Sequence, residues 1–134
     1  MADIIYPATQ KFGDQLSIAR NDEPSYSTAS IFEDKVEVAT PNVGGEFNLG
    51  FYIEANCNNV ASACELRVYD PTGGEIIALV KKNLPASDDF VEFSGTIPIT
   101  VVGDGRVLKL QFRRVGDLAT VETRRARLQL WRLK

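Results

Sequence analysis

The chain contains no histidine. That absence removes the commonest general base, the usual activator of a serine or cysteine nucleophile and the commonest metal ligand together. An enzyme built from this sequence would have to rely on carboxylates or lysine, so a non-enzymatic role is expected. Cysteine is scarce: Cys57 and Cys64 flank Asn58 to Ala63 at what reads as a hairpin tip. Two thiolates are half of a zinc site, with nothing to complete it. A disulfide across the hairpin is one reading and a pair of free thiols the other; assembly in a reducing cytoplasm favours thiols. No run of about 20 apolar residues is present to span a bilayer. The opening MADIIYPATQ lacks a basic region followed by an apolar one, so no secretory signal is read and a cytoplasmic origin is expected. Carboxylates cluster only as Asp88-Asp89 with Glu92 and as Asp14 with Asp22-Glu23, without the spacing of a calcium loop. These read as solvated faces, and no metal or cofactor is expected. Gly73-Gly74 and Gly103-Asp104-Gly105 read as hairpin turns rather than phosphate cradles.

What is present fits one domain. At 134 residues, 44% of them apolar, the chain is long enough to bury a core without staples. The net charge of −3, from 15 basic and 18 acidic residues, gives no overall nucleic-acid signal. The signs are unevenly placed, however. From Arg106 onward the basic residues include Arg113, Arg114, Arg124, Arg125, Arg127 and Arg132, opposed only by Asp117 and Glu122.

The dominant pattern is alternation of apolar and polar residues, the signature of half-buried strands. Phe47, Leu49, Phe51, Ile53 and Ala55 form its cleanest run. Cys64, Leu66 and Val68 form another, and Leu108, Leu110 and Phe112 a third, with Lys109, Gln111 and Arg113 turned outward. Phe32, Val36 and Val38 alternate with Glu33, Lys35 and Glu37, and Asp34 is out of phase. Glu75 to Lys81 is apolar on both faces. Phe90 to Ser94 and Thr96 to Val101 read as strand broken at Gly95, and Pro98 argues for an edge. The last stretch, TVETRRARLQLWRL, places Ala126, Leu128 and Leu130 on a core face and Arg125, Arg127 and Gln129 outside. Arg124 then falls at the rim of the core face, where a carboxylate such as Asp34 is its expected partner. Seven or eight strands with turns between them and no convincing helix predict an all-β, antiparallel β-sandwich.

Residues 1–27 differ. Pro7 and Pro24 resist helix, and short apolar words alternate with small polar residues. This segment reads as an extended N-terminal arm, with a short strand at Gln15–Ala19. A solvated tail is the other reading, but Ile4, Ile5, Tyr6 and Phe12 are more apolar than such a tail needs; they are expected to dock on this domain or on a partner.

Three features in order then resemble a family. They are Ser27-Thr28-Ala29-Ser30-x-Phe32-x-Asp34-Lys35-Val36-x-Val38; Gly45-x-Phe47-x-Leu49-Gly50-Phe51-Tyr52-Ile53-Glu54-Ala55; and Leu108-x-Leu110-x-Phe112-Arg113 with the closing Thr120-Val121-x-x-Arg124-Arg125-Ala126-Arg127-Leu128-x-Leu130-Trp131-Arg132. These are similar to the jelly-roll structural domains of tailed bacteriophages, namely head cement or decoration proteins and the knobs of head and tail fibres. The resemblance covers roughly Ser27 to Leu133 and implies a jelly-roll sandwich over 28–134, preceded by the N-terminal arm over 1–27. It implies a non-enzymatic virion structural protein on the capsid surface, assembled in the host cytoplasm. Its partners would be the major capsid protein of the phage shell and further copies of itself, as a dimer or trimer, without nucleic acid, membrane or cofactor. Ile4, Ile5, Tyr6, Phe12, Arg125 and Arg127 are the expected partner-binding residues. The alternative is a carbohydrate-binding receptor knob, with Trp131 and Tyr52 as a sugar platform if they are exposed. A carboxylate-based glycosidase is the third reading.

Overall fold

The computed structural model describes residues 15–28, 30–41, 43–57, 62–115 and 120–133. Among them are nine strands and no helix: β1 (Gln15–Asn21), β2 (Ser25–Ser27), β3 (Glu33–Ala39), β4 (Gly45–Cys57), β5 (Ser62–Asp70), β6 (Glu75–Leu84), β7 (Ser87–Val101), β8 (Val107–Val115) and β9 (Val121–Arg132). They pair as the two arms of one long hairpin: β1 and β2 with β9, β3 with β8, β4 with β7, and β5 with β6. Rolling that hairpin up brings β4 beside β9 and β5 beside β8. One sheet is then ordered β1-β9-β4-β7, with β2 also on β9, and the other β3-β8-β5-β6. This is the strand order of a jelly roll, so the expected all-β antiparallel sandwich is the fold.

The alternating residues fill the space between the sheets. Phe47, Leu49, Phe51, Ile53 and Ala55 of β4 are buried in one cluster with Leu66 and Val68 of β5, Leu108, Leu110 and Phe112 of β8, and Ala126, Leu128 and Leu130 of β9. Each large side chain buried this way contributes roughly 1.5–3 kcal/mol. β7 runs unbroken through Gly95, because Phe51 needs the room there: a Cβ on Gly95 would sit 2.8 Å from the Phe51 ring. β7 is an edge strand, as Pro98 requires. The doubly apolar β6 is the edge of the other sheet. Its Ile77, Ala78 and Val80 pack on the core while Ile76 and Leu79 are exposed.

Two expectations are corrected and a third is refined. The sheet does not begin at Thr28. β1 and β2 lie within the segment read as an arm, yet both pair with the edge of β9, so among the described residues the sheet extends back to Gln15. Lys35 does not face out. A bulge between Asp34 and Val36 in the pairing of β3 with β8 turns Lys35 inward, where it is buried beside Val36. Its ammonium donates to the Glu23 carbonyl at 2.5 Å and the Ser25 hydroxyl at 2.7 Å, fastening the link between β1 and β2 to the opposite sheet. Gln111 is on the outer face, but it is buried there rather than solvated. Its amide donates to Asp34 at 2.6 Å and accepts from Arg67 at 2.7 Å. The Arg67 guanidinium in turn stacks on the rings of Phe32 and Tyr69.

Candidate functional site: the outer face of the five-stranded sheet

Residues paired across strands share a face, so the register spells out the solvent side of the larger sheet. Trp131, Asn48 and Pro98 form one rung. Ile18, Gln129, Gly50 and Thr96 form the next, and Arg20, Arg127, Tyr52 and Ser94 the one after. Arg124, Glu54 and Glu92 follow. Gly50 sits at the centre of this surface for a steric reason. A Cβ added there would lie 2.7 Å from two atoms of the Trp131 six-membered ring. The edge of the half-buried indole therefore occupies the space that a side chain at position 50 would need.

The arginines are placed by a second bulge. Between Glu54 and Tyr52 the chain of β4 advances two residues, while β9 advances three, from Arg124 to Arg127. Arg125 takes up the extra residue with φ of 54°, a left-handed conformation that costs an L-residue about 1–2 kcal/mol. The bulge switches the phase of β9. Val121 and Thr123 are buried before it, and Ala126, Leu128 and Leu130 after it. Arg124 is thereby released from the core rim, and the expected pairing with Asp34 does not form. Arg124 donates from Nε to Glu54 at 2.7 Å and its guanidinium lies 3.6 Å from the Phe90 ring centroid. Asp34 is held instead by Lys109 at 2.8 Å and by Gln111.

Glu54 is the hub of this end of the face. Besides Arg124, the Arg125 guanidinium lies 3.6 Å away and the Tyr52 hydroxyl donates at 2.5 Å. Burial pushes the Glu54 carboxyl upward, but the Tyr52 hydroxyl and the Arg124 and Arg125 charges outweigh it and hold the group below the usual carboxylate range. The same hydrogen bond to Glu54, with burial, raises the Tyr52 phenol above its ordinary value. Arg127 stacks its guanidinium over the Tyr52 ring at 4.9 Å.

Two hollows open here. One, of about 310 Å³, lies among Gly50, Tyr52, Ser94, Thr96, Gln129 and Trp131. The other, of about 450 Å³, lies among Arg20, Asp22, Glu54 and Arg125. Tyr52 and Arg127 line both, so the hollows adjoin along one trough. A third hollow, of about 390 Å³, opens between the sheet edges where β6 and β7 meet. It is lined by Ile76, Ile77, Ile97 and Ile99, and its Asp70 and Arg106 are already joined at 2.8 Å.

Of the residues singled out from sequence, Arg125 and Arg127 come together on this face with Tyr52 and Trp131. Ile4, Ile5, Tyr6 and Phe12 lie outside the described residues. Cys57 and Cys64 are both buried thiols. Among the described residues no three His, Cys, Asp or Glu side chains converge as metal ligands would. Asn48, Gly50, Gln129, Glu54 and Arg20 carried no sequence signal of their own; alternation alone shows that the first four face outward, and nothing short of the register shows that they adjoin.

Neither a protein-family model nor a curated protein matches the chain. Solved structures do. Dimeric latent PorU from Porphyromonas gingivalis superposes with a TM-score of 0.53 over 89% of this chain at 12% identity. The chain spans only 13% of that protein. A CBM4 structure matches 90% of this chain and 77% of its own at 13% identity, with a TM-score of 0.48. The CBM22-1 xylan-binding domain of Xyn10C from Paenibacillus barcinonensis matches 94% of this chain and 99% of its own at 10% identity, with a TM-score of 0.44. At these identities the likeness is one of fold, a β-sandwich, and the function has to be argued from the face itself.

Proposed function

We propose that this domain is a non-enzymatic carbohydrate-binding module of the receptor-knob kind, and that it takes its glycan along the outer trough of the five-stranded sheet. The observation that carries this reading is the half-exposed Trp131 indole, whose six-membered ring packs its edge against bare Gly50, one rung from Tyr52, in an open trough edged by uncharged amides and hydroxyls. A sugar ring offers an apolar C–H face and a rim of hydroxyls. An aromatic face receives the first; Asn48, Gln129, Ser94 and Thr96 suit the second. An indole serving only the core would be turned inward.

The electrostatics support binding without hydrolysis. Glu54 and Glu92 face each other across β4 and β7, as a carboxylate pair would have to. A glycosidase, however, needs one carboxyl kept protonated as acid and a second open to act as nucleophile or base. Glu54 is lowered by a tyrosine and two arginines, which excludes the first role, and both its oxygens are already engaged by those groups, which obstructs the second. The shell-binding reading drawn from the phage resemblance would place its contacts on Ile4, Ile5, Tyr6 and Phe12, and on Arg125 and Arg127, which here engage Glu54 and Tyr52. Counting copies per particle tests that reading separately: a cement protein is abundant, a receptor knob sparse.

The direct test is a broad array of immobilised glycans probed with the full chain and with Trp131→Ala. Wild type should retain a defined set of glycans, and the variant should bind the same set at least about tenfold more weakly, equivalent to roughly 1.4 kcal/mol. A wild type that captures nothing, or a variant that binds as well as wild type, overturns the proposal.

A further inference from the structure

Resting on that reading, we propose that the glycan carries an anionic substituent, a carboxylate or sulfate, and that Arg127 receives it at the junction of the two hollows. The argument starts from the bulge. Regular alternation would divide Arg124, Arg125 and Arg127 between the two faces of β9. The extra residue at Arg125 instead sends all three to the solvent side, at the cost of a left-handed arginine. Strained, bulged backbone of this kind concentrates where side chains are re-aimed for function.

The charges gathered there do not cancel. Arg124 and Arg125 are taken up by Glu54. Arg20 is joined to Asp22 at 3.2 Å. Glu92, also on this face, accepts a hydrogen bond from the Ser94 hydroxyl at 2.9 Å. Arg127 has no ion pair with any described residue; it is exposed and stacked on Tyr52. Among the residues lining the two hollows, three arginines thus meet two carboxylates, and the guanidinium without an ion pair is the one lining both. A guanidinium fixed by stacking keeps its donor fork open for a bidentate oxyanion. Arg127 lies one rung from Gln129 and Gly50, where the Trp131 indole rests. A sugar on the indole would therefore bring its neighbour's acidic group to the fork.

The experiment titrates the full chain with matched pairs of probes: oligogalacturonate and its methyl ester, sialyllactose and lactose, and a sulfated oligosaccharide and its desulfated form. Wild type, Arg127→Gln, Arg127→Lys and Trp131→Ala are compared at low and high salt. The expected result is at least one acidic member bound about tenfold or more tightly than its neutral partner, a preference that fades with salt. Arg127→Gln should abolish the preference, Arg127→Lys should retain part of it, and Trp131→Ala should weaken both members of the pair. The carboxylate and sulfate arms identify the substituent. Equal binding of acidic and neutral partners overturns this inference and leaves the carbohydrate reading standing. So does an Arg127→Gln variant that loses both members equally. Capture of no probe in either form, alongside an array that is blank as well, overturns both.

Discussion

Replacing Lys35 tests whether the N-terminal strands belong to the sandwich. Its ammonium makes two good hydrogen bonds, to the Glu23 carbonyl and the Ser25 hydroxyl, and a third at the limit of 3.5 Å to the Thr123 carbonyl. Hydrogen bonds from a charged donor contribute about 1.5–3 kcal/mol each, so the two good ones amount to roughly 3–6 kcal/mol before opposing effects. The cation has given up water to make them, and burial pulls its pKa below the ordinary lysine value. Methionine would fill the same space without that desolvation cost. Glu23 is exposed and Ser25 half-buried, so both acceptors regain water once the lysine is gone. The expected net loss for Lys35→Met is therefore about 1–3 kcal/mol. Urea unfolding should show a midpoint lowered by about 1 M with an unchanged slope. Hydrogen exchange should accelerate first in β1 and β2, and later in β4, β5 and β8. Equal or greater stability, with β1 amides as protected as in wild type, would refute the reasoning that Lys35 is the fastening.

The remaining predictions concern single side chains. Burial pushes the Cys64 thiol up to about 12, so alkylation at pH 8 should proceed only as fast as the protein opens; prompt labelling of the native fold would contradict that. Burial also pushes the Asp70 carboxyl upward, but the Arg106 guanidinium and the Gly73 and Thr72 N–H groups outweigh it and lower the group below its ordinary value. Its contribution is therefore complete above the unfolded value near 4 and is lost as pH falls through the lower folded value. Asp70→Asn should cost about 1–3 kcal/mol at pH 7, and urea titrations should show the gap to wild type closing in acid. Gln111→Asp should set a carboxylate against Asp34 in a buried position and lower stability by about 1–3 kcal/mol, measured in the same way. Gly50→Ala should unseat the indole, weakening glycan binding while the protein stays folded, because the half-exposed Trp131 has room to swing away; retained affinity would show that its seat does not matter.

Much of the fold was legible because a strand with one wet face writes its period into the sequence. Phe47 to Ala55 and Leu108 to Phe112 are buried as alternation predicts. The misreadings occur where a bulge breaks that period. Asp34 stood out of phase, yet the sequence did not show that Lys35 would turn inward to meet a carbonyl from the β1–β2 link. In β9 the doubled Arg124-Arg125 conceals a phase switch, so extrapolating from Leu128 and Leu130 placed Arg124 on the wrong face. Gln111 was assigned its correct side, but its burial depends on Asp34, Arg67 and Phe32 closing over it. β1 was legible as a short strand at Gln15–Ala19, but β2 and the pairing of both were hidden, because they are short and their partner lies about a hundred residues away. The site was legible only in part. Trp131 and Tyr52 were candidates as a sugar platform, but their proximity depends on the β4–β9 register, and Gly50 mattered only once the indole lay against it.

Trp131 is the only tryptophan in the chain, so its emission reports on the trough without labelling. The decisive measurement is a fluorescence titration of the full chain with a glycan whose binding calorimetry has already established. The account predicts a saturable change in the emission of Trp131, as the indole loses water to the sugar, with the same dissociation constant as calorimetry. Binding by calorimetry with the emission unmoved would place the glycan elsewhere and contradict the outer-face site.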